Sequence, residues 1–295
     1  MWSSLIVLAS IAGAEPSPDP VPFLVTTEWL ANHLSDPKLV LLQIGDNSSK
    51  PAYDQGHIPG AQFLNPFREL ARPPQEGGLN LELPDAAQLT AVLEAKGISN
   101  DSHVVLYWAQ EYYSPTSRSY LTLEYAGLKG RISILDGGLE IWRAEGRPVS
   151  TEVPAPARGR FTVRTVLETV VDANWVRDNL ENKAVAIVDA RDTSFYNGRD
   201  TRQARSGRIP NAVSVPFGSM VAAGKFKSLD ELRRVFEEAG IDKSDKVVTY
   251  CHIGQQATLV WFVARMLGHD AAMYDGSFQD WAQRSELPVI APARP

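Results

Sequence analysis

Residues 247–268 read VVTYCHIGQQATLVWFVARMLG. A short β-branched and aromatic run, from Lys246 to Tyr250, gives way to Cys251, His252, Ile253, Gly254, Gln255 and Gln256. A longer apolar run then begins at Ala257 and stops at Gly268. Short apolar run, polar loop with glycine, long apolar run closed by glycine: the pattern predicts strand, loop and helix. The same alternation surrounds it, with a strand expected over 184–188 and an amphipathic helix over 230–239 that shows Leu232, Val235 and Phe236 on one face. Such alternation implies an α/β fold built on a mainly parallel sheet with helices on both faces. In folds of this kind, sites lie beyond the carboxyl ends of strands, and Cys251 is one residue past such an end.

The pattern is written twice. VTTEWLANHL matches VVDANWVRDNL, pairing Trp29 with Trp175 and Leu34 with Leu180. LVLLQIGD matches VAIVDARD, which sets Asp46 against Asp192, and GHIPGA at 56–61 matches GRIPNA at 207–212. KGISNDSHVVLYW aligns with AGIDKSDKVVTYC and brings Trp108 onto Cys251, while ILDGGLEIW aligns with MYDGSFQDW and sets Gly138 against Ser277. The offset drifts between blocks, as length changes in loops allow. The repeat unit is therefore a whole domain. The expected layout is a leader and tether over 1–22, a first domain over 23–149, a linker over 150–164 and a second domain over 165–295. The linker follows from the Pro and Gly content of EGRPVSTEVPAPARGRF.

Composition narrows the function classes. The 295 residues are 44% hydrophobic, enough for two cores. A net charge of -6, from 29 basic and 35 acidic side chains, argues against a nucleic-acid partner. A single cysteine excludes an internal disulfide and a CxxC pair. Histidines 33, 57, 103 and 269 lack ligand spacing, so no metal is expected, and no glycine-rich fingerprint calls for a nucleotide cofactor. Tryptophans 29, 142, 175 and 281 recur at equivalent positions, which favours core packing. Near the amino terminus an apolar stretch, 5–11, precedes Ala12-Gly13-Ala14, a small-x-small pattern that predicts export; a cytoplasmic location is the alternative, because no Lys or Arg precedes the stretch. That stretch is too short to span a bilayer, and no membrane span is expected in the mature chain.

The loop after Tyr250 carries the chemistry. A strand end followed by a curled loop and a helix points backbone N–H groups inward and favours negative charge beside the thiol. A sulfur held there is expected to be a nucleophile. Gly254 lets the loop curl. Cys251 could instead be small apolar filler at a strand end.

With both [HR]IP[GN]A blocks, the DAR of 189–191, the cysteine loop and YDGSFQDW in place, the chain resembles the tandem-domain rhodanese family of sulfurtransferases over residues 25–289. The resemblance implies two similar rhodanese-like domains, only the second of which is catalytic, and Trp108 opposite Cys251 marks the first as silent. It implies a donor that is a small sulfur-containing anion, thiosulfate in the leading reading, and an acceptor that is cyanide or a thiol, with a persulfide carried on Cys251 between the two half-reactions. It further implies that the loop residues His252, Ile253, Gly254, Gln255 and Gln256 bind the persulfide and that the Ser277 hydroxyl donates towards the sulfur. Phosphatases on related folds use a longer loop and an arginine where this chain has Ala257, so ester hydrolysis is not expected.

Two departures from the family bear on the donor. His252 and Ile253 stand where thiosulfate-using relatives carry basic residues, and Phe195 and Tyr196 occupy a neighbourhood where an arginine is usual. Mercaptopyruvate as donor, and a sulfur-relay protein loaded by a partner, are the alternatives. Compensation is expected from the segment holding Arg191, Arg199, Arg202, Arg205 and Arg208, with Arg199 or Arg202 reaching the sulfonate and His252 assisting. A solvated basic loop is the plainer alternative. Arg191 is expected to be architectural.

Overall fold

A computed structural model describes residues 20–199 and 205–291. The first domain holds strands β1 (Leu24–Val25), β2 (Leu39–Ile44), β3 (Gln62–Leu64), β4 (His103–Trp108) and β5 (Ile132–Leu135), all parallel in the order β1-β5-β4-β2-β3. The second holds β6 (Val170–Val171), β7 (Val185–Asp189) and β8 (Val213–Ser214), then a short antiparallel hairpin of β9 (Val221–Ala222) and β10 (Lys225–Phe226), then β11 (Lys246–Tyr250) and β12 (Ala271–Tyr274). Its sheet order, β6-β12-β11-β7-β8, repeats that of the first strand for strand. The sequence repeat is thus a repeat of topology, and both domains are α/β.

Two expected elements shift by one residue at both ends, each for a local reason. The strand expected over 184–188 is Val185–Asp189, because Asp189 still pairs with Tyr250 and its carboxylate finds buried partners in Arg191 and Tyr250. The helix expected over 230–239 is Leu229–Glu238, set by a reciprocal cap in which Ser228 and Glu231 each bond the other's backbone N–H. Lys246–Tyr250 stands as expected, and the helix expected over 257–267 starts at Ala257 as expected and ends one residue early, at Met266, with Leu267 as its cap.

The domains share one core. The helix Tyr113–Leu123, which follows β4, and the helix Ala257–Met266, which follows β11, are repeat equivalents and pack against each other. Ser117 and Thr258 join hydroxyls at 2.8 Å, Tyr120 meets Phe262 edge-on at 4.9 Å, and Arg265 pairs with buried Glu124. Every residue from Ser114 to Leu123 is buried, so a helix that would cover one face of a lone domain is here enclosed. Trp142 and Trp281 are fully buried and donate to Pro148 and Pro288 carbonyls, both at 2.7 Å, while Trp29 and Trp175 are half-buried at the domain surfaces. The connecting segment has no regular structure but lies along the first domain, with Gly159 N–H on the Glu94 carbonyl, Arg158 paired with Glu94 and Arg164 N–H on the Ala126 carbonyl. Among the described residues no helix is long and apolar enough to cross a membrane.

Candidate active site

Strands β4 and β11 both end at the domain boundary, but the residues at their ends differ in size. In the first domain the residue at the strand end is Trp108, and Gly138 makes room for it. A Cβ on Gly138 would lie 2.5 Å from the Trp108 carbonyl oxygen and 2.6 Å from its ring. In the second domain the corresponding pair is Cys251 and Ser277: a small residue where the indole stood and a hydroxymethyl where nothing fitted before. Both Gly138 and Ser277 adopt left-handed backbone, at φ +55° and +51°. Ser277 tolerates this strain because its hydroxyl accepts the Cys251 N–H at 3.2 Å and donates to the Tyr274 carbonyl at 2.9 Å. The hydroxyl expected to donate to the sulfur thus holds Cys251 by its backbone and gives its own proton to Tyr274.

Residues 251–256 form a loop in which four carbonyls are held by neighbouring elements. The Cys251 and His252 carbonyls accept the N–H groups of Phe278 and Gln279, both at 2.9 Å, from the start of the helix Ser277–Gln283. Gly254 offers its carbonyl to Arg118 Nη1 at 3.0 Å, and that of Gln255 accepts Thr258 Oγ1 at 2.6 Å. A trans peptide directs the next N–H opposite to its C=O, so those of His252, Ile253, Gln255 and Gln256 turn away from these anchors. Among the described residues no acceptor takes the N–H groups of Ile253, Gly254, Gln255 or Gln256. Gly254 sits at φ +76°, and a Cβ there would lie 2.7 Å from the Asp275 carbonyl.

Arg118 belongs to the first domain and is 4% exposed. Besides the Gly254 carbonyl it pairs with Asp275 at 2.8 Å and donates Nη2 to the Leu81 carbonyl at 2.5 Å. One guanidinium therefore ties the loop and the turn after β12 to Leu81 of the first domain; Asp275 in that turn also accepts the Leu83 N–H at 3.1 Å, and Gln279 in the following helix accepts the Asn80 N–H at 3.0 Å. The turn after β5 makes the mirrored contact, where Asp136 accepts the Phe226 N–H at 2.9 Å.

Beneath the loop lies a buried polar triad. Arg191 is 1% exposed and grips Asp189 with two bonds of 2.9 and 2.6 Å, as well as the Gly207 carbonyl at 2.8 Å. Tyr250 donates to Asp189 at 2.6 Å; burial, then the Asp189 charge, keeps its phenol protonated far above the ordinary range. The first domain has a neutral version, Tyr107 on Gln43 at 2.9 Å. Arg191 is architectural, as the sequence suggested.

Cys251, 1% exposed, opens onto a cavity of about 530 Å³. His252, Ile253, Gln255, Gln256 and Phe217 form one side. Phe67 and residues 110–115 of the first domain form the other. Those residues follow Trp108 as the catalytic-loop candidates follow Cys251, so the two equivalent loops face each other across one cavity. Among the described residues no lysine or arginine lines it. Arg199 is exposed and does not line the cavity, whereas Arg202 lies outside the described residues. Arg205 is committed to the Trp281, Arg284 and Leu287 carbonyls, and Arg208 lies over the Tyr196 ring at 4.4 Å. His252 meets Phe195 edge-on at 4.2 Å. Arg118 and the 110–115 wall escape a sequence reading confined to the second domain. The repeat was the available signal, since residues 109–113 align with 252–256.

The Rhodanese-like domain model matches the chain twice, over residues 26–145 and 172–284. A sulfur carrier protein of Thermus thermophilus, TtuD, is 32% identical over 284 residues, which are 90% of this chain and 95% of that one. A Saccharopolyspora erythraea protein provisionally named a thiosulfate sulfurtransferase is 31% identical over 287 residues, covering 91% and 96% of the two chains. Among solved structures, the 3-mercaptopyruvate sulfurtransferase SseA of Escherichia coli is similar with a TM-score of 0.76 at 25% identity, over 87% of this chain and 99% of that one.

Proposed function

The chain belongs to the rhodanese family of sulfurtransferases, and from that premise we propose that it moves the sulfane sulfur of thiosulfate to cyanide or a thiol through a persulfide on Cys251. The Cys251 thiolate attacks the outer sulfur of thiosulfate; the S–S bond breaks and sulfite leaves with its electron pair. Cyanide or a thiolate then attacks the outer sulfur of the persulfide, and Cys251 departs as the thiolate. The observation that carries this is the loop itself, in which carbonyls held by neighbouring elements leave the following N–H groups turned away from their anchors beside a small nucleophile. Such preorganised donors stabilise a sulfur anion without reorganising during the reaction. His252, Ile253, Gly254, Gln255 and Gln256 bind the persulfide, and Ser277 fixes the cysteine backbone. Export, on the leader-like pattern of residues 5–14, completes the proposal.

The test is Cys251→Ser assayed with thiosulfate and cyanide. Loss of thiocyanate formation by at least about a thousandfold is expected of a covalent carrier; activity within about tenfold of the parent would remove Cys251 from the mechanism.

A second reading has one observation in its favour. A cavity wall without Lys or Arg among the described residues is a poor trap for a free dianion, and suits a sulfur relay loaded by a partner's persulfide. The Thermus thermophilus relative bears the name of a sulfur carrier. Mercaptopyruvate, whose carboxylate also needs a cation, gains nothing from this wall.

A further inference from the structure

Gly254 and Glu111 occupy the same place in the two copies of the repeat, each three residues beyond its Cys251 or Trp108. Both adopt left-handed backbone, at φ +76° and +62°. Glycine does so freely, whereas a residue with a Cβ is strained there by about 1 kcal/mol or more. Gln110 beside it is left-handed too, at φ +56°. Neighbours hold the strained pair in place: Gln110 N–H donates to Glu140 at 2.8 Å, Tyr113 N–H to the Glu111 carbonyl at 2.7 Å and the Tyr112 hydroxyl to Asp46 at 2.7 Å. At another shared left-handed position, Gly138 and Ser277, the copy that keeps a side chain uses it to fix Cys251. By the same logic the Glu111 side chain has work to do, and it lines the Cys251 cavity.

The rest of the wall agrees in chemistry. Phe67, Tyr112, Tyr113 and Phe217 present aromatic surface, which attracts cations held over a ring face. Gln256 Oε1 is buried without a donor, an acceptor for an N–H group. Hydrogen bonds from Ser48 and Tyr112 hold Asp46, behind Tyr112, down at about 2, so its charge persists. Among the described residues His252 is the single titratable base on the wall. At about 530 Å³ the space exceeds what a five-atom anion fills and falls in the range of organic ligands.

We infer that the acceptor discharging Cys251 is a small organic thiol bearing a positive charge, an aminothiol in class, whose ammonium group lies against the Tyr112–Tyr113 wall with Glu111 as its counter-charge. This rests on the persulfide reading above. The acceptor thiolate forms a bond to the outer sulfur, the bond from that sulfur to Cys251 Sγ breaks, and Cys251 leaves as the thiolate; no oxidant or reductant is consumed.

The test loads Cys251 with sulfur, verifies the load by intact mass, and measures kcat/KM for 2-aminoethanethiol, 2-mercaptoethanol and 3-mercaptopropionate in the parent and in Glu111→Gln. Comparing each thiol with itself across the two proteins cancels differences in thiol acidity. Loss of one charge contact near a protein surface predicts about a tenfold fall for the aminothiol, a rise for the carboxylate and an intermediate response for the neutral thiol. Equal changes for all three, or none, overturn the assignment. Glu111→Gly separates strain from charge: its unfolding midpoint should rise while the same discrimination disappears, and a midpoint that falls contradicts the claim that Glu111 is held at a cost. Failure of Cys251 to load from any donor sinks the persulfide reading and this inference with it; a loaded enzyme that prefers the carboxylate sinks this inference alone.

Discussion

At the scale of single residues, the site is a set of volume and backbone exchanges between two copies of one design. Trp108 with Gly138 fills a strand end; Cys251 with Ser277 opens it. Gly254 is the residue on which the loop turns, and two costs meet there: left-handed backbone at φ +76° and an Asp275 carbonyl 2.7 Å from any added Cβ. Gly254→Ala should therefore destabilise the protein by about 1–3 kcal/mol and slow sulfur transfer at least about tenfold. Urea unfolding and initial rates measure the two, and parent-like values for both would show that the loop turns without help from glycine. Cys251, Gly254 and the loop residues between them were legible in the sequence, because a lone thiol set between a β-branched run and a helical run falls at a strand end, where parallel sheets gather their reactive groups. The Ser277 geometry was not, since the partner of a hydroxyl depends on angles that no pattern encodes.

Among the elements, the strands carry a pH dependence unrelated to the site. His103 opens β4, and its Nε2 lies 2.9 Å from Ser133 Oγ. Burial lowers its pKa from 6.5 to about 4. Between those two values the unfolded chain takes up a proton that the folded chain resists, so the His103 contribution is intact above pH 6.5 and lost as pH falls towards about 4. Urea midpoints should decline over that window in the parent and decline less in His103→Gln; identical slopes would mean that His103 titrates normally in the fold. Element existence was legible from hydrophobic runs, and the two shifted elements show what was not. Asp189 reads as a loop residue until Arg191 and Tyr250 supply partners for it, and Leu229 joins its helix because Ser228 and Glu231 close the first turn.

For the whole molecule, the first domain completes the candidate site of the second. Its strand-end loop walls the cavity, its enclosed helix packs on the helix after Cys251, and its Arg118 holds the Gly254 carbonyl and Asp275. Arg118→Met leaves Asp275 without its cationic partner and frees the Gly254–Gln255 peptide to rotate. Removal of one member of a largely buried ion pair predicts a loss of roughly 3 kcal/mol in stability. The rate of sulfur loading should fall more than donor KM changes, and Arg118→Lys should recover part of the rate because a single donor still reaches the carbonyl. Equal effects on rate and KM would point to a role in donor binding instead. The repeat in the sequence announced two domains of one fold, but how they dock is decided by side chains spread over both, so the shared cavity had no contiguous signature.

Everything proposed for this site requires that sulfur ride on Cys251, and intact mass spectrometry reads that directly. After incubation with thiosulfate or a persulfide donor and removal of excess, the parent chain should gain one sulfur atom and lose it on addition of cyanide, and Cys251→Ser should gain none. A gain that survives in Cys251→Ser, or a parent chain that never gains sulfur from either donor, would contradict it.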